Sequence, residues 1–109
     1  MEDNTIKLLV EKIKSVGKLH RIILFGSYAS GKINSNSDID LLVVIDSNKM
    51  PENFKEKSNN YLKIGRAIRE IERKIPIDLL VYTKPEFEIM VSSKSLFINK
   101  ILNEGKDLL

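Results

Sequence analysis

The chain has 109 residues, 42% hydrophobic and 30% charged, with a formal net charge of +3 and a pI near 9.1; this describes one small globular domain, 1–109, with room for a single core. The absence of cysteine excludes a disulfide framework, a thiolate zinc site and a cysteine nucleophile. No run approaches the roughly 18 apolar residues of a membrane span, and the mild basicity suits a polyanionic ligand rather than duplex DNA.

The opening Met1-Glu2-Asp3-Asn4 lacks the basic and apolar regions of a signal peptide, so a cytoplasmic protein is expected. Ile6, Leu9, Val10, Ile13 and Val16 recur at three- and four-residue spacing, which predicts an amphipathic helix over Asn4 to Val16, ending before Gly17. A strand is expected from His20 to Phe25. Gly26-Ser27 opens a short helical piece, Tyr28 to Ser30, closed by Gly31, and polar Lys32 to Ser37 reads as a loop. A second strand follows from Asp38 to Ile45.

Asp46 to Lys57, with Pro51, is expected to be a loop. Tyr61, Ile64, Ile68 and Ile71 predict a helix over Ser58 to Arg73. Arg66, Arg69 and Arg73 fall on its other side, a solvated basic face or else a contact for an acidic partner or nucleotide. Past Pro76, Ile77 to Tyr82 reads as a third strand with Asp78 near its start. Thr83-Lys84-Pro85-Glu86 has the form of a capping box. It opens a helix burying Phe87, Met90 and Val91. A last helix, Ser95 to Asn103, is expected to bury Phe97, Ile98, Ile101 and Leu102 before Gly105. Leu108-Leu109 reads as an edge strand or a frayed end.

The chemistry concentrates between Ile22 and Ile45. Side chains alternate along a strand, so Asp38 and Asp40 share a face while Ile39 points away. Paired carboxylates on the lip of an apolar strand repel one another, and divalent cations between their oxygens relieve that repulsion. Asp78 supplies a third acid in a similar position. Any one of these acids alone is most simply a solvated strand-end residue; three together beside Gly26-Ser27 point to a metal site. Glycine at a strand end lets a ligand approach closely, and the N–H groups of the turn that follows, with the Ser27 hydroxyl, favour phosphate. For the strand-end glycine and the strand-start acids to meet one triphosphate, strands one and two must run antiparallel and strand three parallel to strand two. The expected class is α+β (αβαβαβα), a small mixed sheet covered by helices.

Gly26-Ser27-Tyr28-Ala29-Ser30-Gly31 followed by Ser37-Asp38-Ile39-Asp40-Leu41 resembles the signature of the DNA polymerase β-like nucleotidyltransferase superfamily. Within it the chain is similar to the minimal nucleotidyltransferases, of the MntA-like antitoxin type, which are usually paired with a HEPN-domain protein. The similarity extends through Pro76-Ile77-Asp78-Leu79 and Leu102-Asn103-Glu104-Gly105. The resemblance implies that Gly26 and Ser27 hold the β- and γ-phosphates of a nucleoside triphosphate, ATP in the first instance. It implies that Asp38 and Asp40 bridge two magnesium ions (or manganese), and that Asp78 completes the metal site at the acceptor hydroxyl. The implied reaction places AMP on a tyrosine hydroxyl of the HEPN toxin. Ser30 departs from the pattern, because many relatives carry arginine there. Lys32 reads as a solvated lysine rather than a phosphate contact, and Tyr28 as a packing residue. Two other readings compete: a binding-only antitoxin, and a transferase for a small aminoglycoside-type acceptor, which a homo-oligomer would have to help hold.

Overall fold

The computed structural model describes residues 2–34 and 36–109. Among these residues the elements run α1 (Glu2–Lys14), β1 (Leu19–Phe25), α2 (Ser27–Ser30), β2 (Ile39–Ile45), α3 (Phe54–Ala67), α4 (Arg69–Glu72), β3 (Ile77–Thr83), α5 (Lys84–Ser92), α6 (Leu96–Glu104) and β4 (Lys106–Asp107). The strands form one sheet in the order β3-β2-β1-β4. β1 and β2 are antiparallel, with Phe25 opposite Asp40, and β2 and β3 are parallel, with Asp40 beside Asp78. This is the mixed sheet that the positions of the glycine and the acids require.

Strand alternation divides the interior into two layers. Ile22, Leu24, Leu41, Val43, Leu79 and Val81 pack on one face against Leu9 and Ile13 of α1 and Ile64 and Ile68 of the α3 region. Ile23, Leu42 and Val44 pack on the other face against Phe87 of α5 and Ile98 and Ile101 of α6. Residues 41 to 44 of β2 are therefore buried on both sides, which explains why the strand reads as a continuous apolar run rather than an alternating one.

Several expectations need correction. α1 ends at Lys14, so Val16 lies past the helix and is exposed. α3 starts at Phe54, within the expected loop. Asn53 caps it by accepting from the Glu56 N–H at 2.9 Å, and the Glu56 carboxylate accepts from the Glu52 N–H at 3.2 Å. The helix expected to reach Arg73 breaks at Ile68 (φ −107°), three residues after Gly65, a poor helix former. Tyr61, Val91 and Phe97, each expected to be buried, are exposed. The edge strand is Lys106–Asp107 rather than Leu108-Leu109. It pairs antiparallel with Ile23 and Leu24 and is tied down by Arg21, whose guanidinium lies 2.8 Å from Asp107. Gly105 is needed ahead of it: a Cβ there would lie 2.5 Å from the Ile101 carbonyl oxygen and 2.6 Å from Ile23 Cγ2. The capping box before α5 forms as expected, with Thr83 N–H donating to Glu86 at 3.0 Å.

Candidate active site

Gly26, the first residue after β1, has φ 72° and ψ −152°, a conformation that L side chains rarely adopt. Space imposes the same choice independently. A Cβ at this position would overlap Oδ2 of Asp40 and sit 3.0 Å from its Cγ. The backbone at 26 therefore lies directly against the Asp40 carboxyl group, which a side chain would push away.

The turn that follows is a single helical one. Ala29 and Ser30 N–H groups donate to the Gly26 carbonyl at 3.1 Å, and Gly31 and Lys32 donate to the Ser27 carbonyl at 3.0 and 3.2 Å. Gly31, at φ 80°, ends the turn in the left-handed region. These bonds leave the N–H groups of Ser27 and Tyr28 ahead of the first bonded turn. Ser27 is half-buried beside them. Ser30 occupies the position that departs from the family pattern, and its hydroxyl folds back to donate to the Ser27 carbonyl at 3.2 Å.

The acids come from two adjacent parallel strands. Asp40 and Asp78 are register partners, so both project from the sheet face that carries α5 and α6. Asp38 immediately precedes β2 and is exposed, as is Asp78, while Asp40 is half-buried. Burial raises the Asp40 pKa above the ordinary carboxylate value, and the negative charges of Asp78 and then Asp38 raise it further. All three acids thus share one electrostatic environment, centred on Asp40. Among the described residues no three His, Cys, Asp or Glu side chains close into a ready metal cage; like charges hold carboxylates apart rather than drawing them together. The donor chemistry nonetheless suits a hard divalent cation: three carboxylates and a raised pKa, next to a backbone bend without a side chain.

A cleft of about 420 Å³ opens over this corner, lined by Phe25, Gly26, Ser30, Lys32 and Asp40 on the sheet side. Phe97, Lys100, Ile101 and Glu104 of α6 form the opposite wall. Phe25 and Phe97 meet edge to face with ring centroids 6.2 Å apart. Lys32, read from sequence as simply solvated, is exposed but lines the cleft. The contribution of α6 was not legible in the sequence, where Phe97 looked like a core residue and Lys100 carried no reading. The available signal was their i, i+3 spacing, which sets an aromatic ring and a cation on one helix face.

A family model described as a nucleotidyltransferase domain matches residues 6–108. The chain belongs to that family. Two curated relatives come from Methanocaldococcus jannaschii, each named "Putative protein adenylyltransferase". One is 34% identical over 91 residues, covering 84% of this chain and 80% of the relative. The other is 49% identical over 47 residues, covering 41% of this chain and only 47%, about half, of the relative. The crystal structure of a toxin-antitoxin with AMP-PNP matches the whole nucleotidyltransferase domain with a TM-score of 0.59 and 25% identity, covering 73% of that chain. The domain is thus of an enzyme type, and its sheet and helices are those of nucleotidyltransferases known from toxin-antitoxin systems. No helix among its described residues is long and apolar enough to cross a membrane.

Proposed function

We propose that this chain transfers a nucleoside monophosphate, AMP from ATP, to a hydroxyl of a partner protein, and that it is the antitoxin of a HEPN toxin pair. The observation that carries the reading is the side-by-side register of Asp40 and Asp78 next to the side-chain-free bend at Gly26. Support for the acceptor class comes from the relatives named as protein adenylyltransferases and from the toxin-antitoxin neighbour with AMP-PNP.

In this reading Asp38, Asp40 and Asp78 hold magnesium, and manganese in its place. Once bound, such ions neutralise phosphate charge and lower the pKa of the attacking hydroxyl. The chain's own part is positional. Ser27 and the backbone at Gly26 bind the β- and γ-phosphates, with Lys32 and Lys100 adding positive charge on the cleft walls. The Phe25–Phe97 pair gives one side of the cleft an apolar wall. The acceptor oxygen attacks the α-phosphorus, the bond from that phosphorus to the bridging oxygen breaks, and pyrophosphate departs. The hydroxyl proton passes to the carboxylate set, where Asp78, exposed and beside Asp40, is the reachable acceptor. Positioning and charge neutralisation supply most of the rate in such reactions.

The test incubates the chain with the product of the adjacent gene, ATP and magnesium, and reads the neighbour by mass spectrometry. A gain of one or more AMP units is expected, and Asp40→Asn or Asp78→Asn should reduce it by at least about 100-fold, as loss of a charge-stabilising group does. An unmodified neighbour in a pair shown to bind would overturn the reading. One feature favours the binding-only alternative: Ile89, Leu96 and Phe97 expose an apolar surface on α5 and α6 that a partner could cover. Full neutralisation of the toxin by Asp40→Asn would select that alternative.

A further inference from the structure

At the other end of the sheet, the carboxyl ends of β2 and β3 open onto a second cleft, of about 470 Å³. Its depth comes from the segment after β2 folding back along α3, so that the wall is built from Ser47, Lys49 and one face of the helix. Asn59, Lys63 and Arg66 recur on α3 at i, i+4 and i+7 and share that face, with Asn60 beside them.

This cleft does not belong to the acid site. The register runs from Asp40 beside Asp78 to Ile45 beside Thr83; at about 3.3 Å per residue the five-residue run separates the two ends by roughly 16 Å. The charge is also of the opposite sign. The one carboxylate on the wall, Glu56, is engaged by Lys49 at 3.6 Å and by the Glu52 N–H. Among the described residues no carboxylate lies within ion-pair distance of Lys63 or Arg66. Two cations without a counter-charge, flanked by amide side chains, face a concavity within the roughly 300–1,000 Å³ of small-molecule sites. The carboxyl ends of adjacent parallel strands are also where open α/β sheets hold ligands.

We infer that this cleft is a second anion site, taking a phosphate-bearing small ligand, with Lys63 and Arg66 as its charge and Asn59, Asn60 and Ser47 as its hydrogen-bonding groups. Guanidinium and ammonium groups together match the oxygens of a di- or triphosphate, Arg66 in bidentate fashion and Lys63 as a point charge. The site requires no metal, unlike the carboxylate end, and this difference makes the two experimentally separable.

The experiment titrates inorganic pyrophosphate, and in a second arm ADP, into the full chain with divalent ions chelated. Binding is followed by calorimetry and by amide chemical shifts. Saturable binding is expected, with shifts at Ser47 and along 59–66, and at least a tenfold loss of affinity in the Lys63→Gln/Arg66→Gln double variant. Both side chains are exposed, so the variant should keep the parent's melting temperature. Tighter binding of ADP would assign a nucleotide, and equal affinity inorganic phosphate. Absence of binding, shifts confined to Gly26–Gly31, or undiminished affinity in the double variant would overturn the proposal. The outcome is independent of any transfer reaction.

Discussion

Asp40 is the residue at which folding and the proposed function are in tension. Its carboxyl is held above the ordinary value by burial, then by Asp78, then by Asp38. Between the unfolded value and the raised folded value, the native state binds the proton more tightly than the unfolded chain does. The free energy of unfolding therefore falls as pH rises through that window, and the ionised carboxylate destabilises the fold at all higher pH. Asp40→Asn is accordingly expected to melt at a higher temperature than the parent at neutral pH. The advantage should disappear as pH falls below the ordinary carboxylate range, where the parent is protonated in both states. Melts followed by circular dichroism across pH test this, and a lower melting temperature for the variant at neutral pH would mean that attractive partners, not repulsion, dominate the site. Magnesium should narrow the gap by raising the parent's melting temperature while leaving the variant's nearly unchanged, since a ligand stabilises only the state that binds it.

Among the elements, α3 shows how much a cap decides. Asn53 and Glu56 satisfy N–H groups at the start of the helix, so order begins within the polar segment after β2. Asn53→Ala should cost about 1 kcal/mol, read as a shift of the urea midpoint without a change in slope. A null effect would mean that helix packing alone sets the start. The same helix carries the basic face that lines the second cleft, so its order also fixes the spacing of Lys63 and Arg66. α6 is anchored by Ile98 and Ile101 and leaves Phe97 at the surface. That orientation makes it a wall of the first cleft rather than a fully buried helix.

For the molecule as a whole, β2 is the common wall of two apolar layers and carries Asp40, with Asp38 directly ahead of its first residue. Leu42 is fully buried in the layer beneath α5 and α6, next to Ile23 and Ile98. Leu42→Ala should destabilise the fold by about 2–5 kcal/mol, measured by denaturant unfolding. Because the small domain has one sheet, both layers should unfold together in a single transition. Separate transitions for the two faces would contradict a shared core. The opposite ends of the same sheet differ in chemistry, carboxylates at the start of β2 and β3 and cations beyond their ends. Parallel strands bring like ends together, which gathers Asp40 with Asp78 at one edge and leaves the other edge to α3.

The three long strands, the acids at their starts and the glycine bend were legible in the linear chain, because apolar runs, turn residues and a capping box are local signals with local causes. Even strand direction followed, since Gly26 leaves one strand where Asp40 begins the next and a common ligand admits one arrangement. Other features depended on residues far apart in sequence. Phe97 and Tyr61 have the right spacing for the core but face outward, because helix rotation is set by whichever neighbours, here Ile98 and Ile64, fill the space over the sheet. Periodicity marks an apolar stripe without fixing which edge of it is covered. The α6 wall of the first cleft and the whole of the second exist only once helices have docked, because a concavity is a relation between surfaces that no single segment contains.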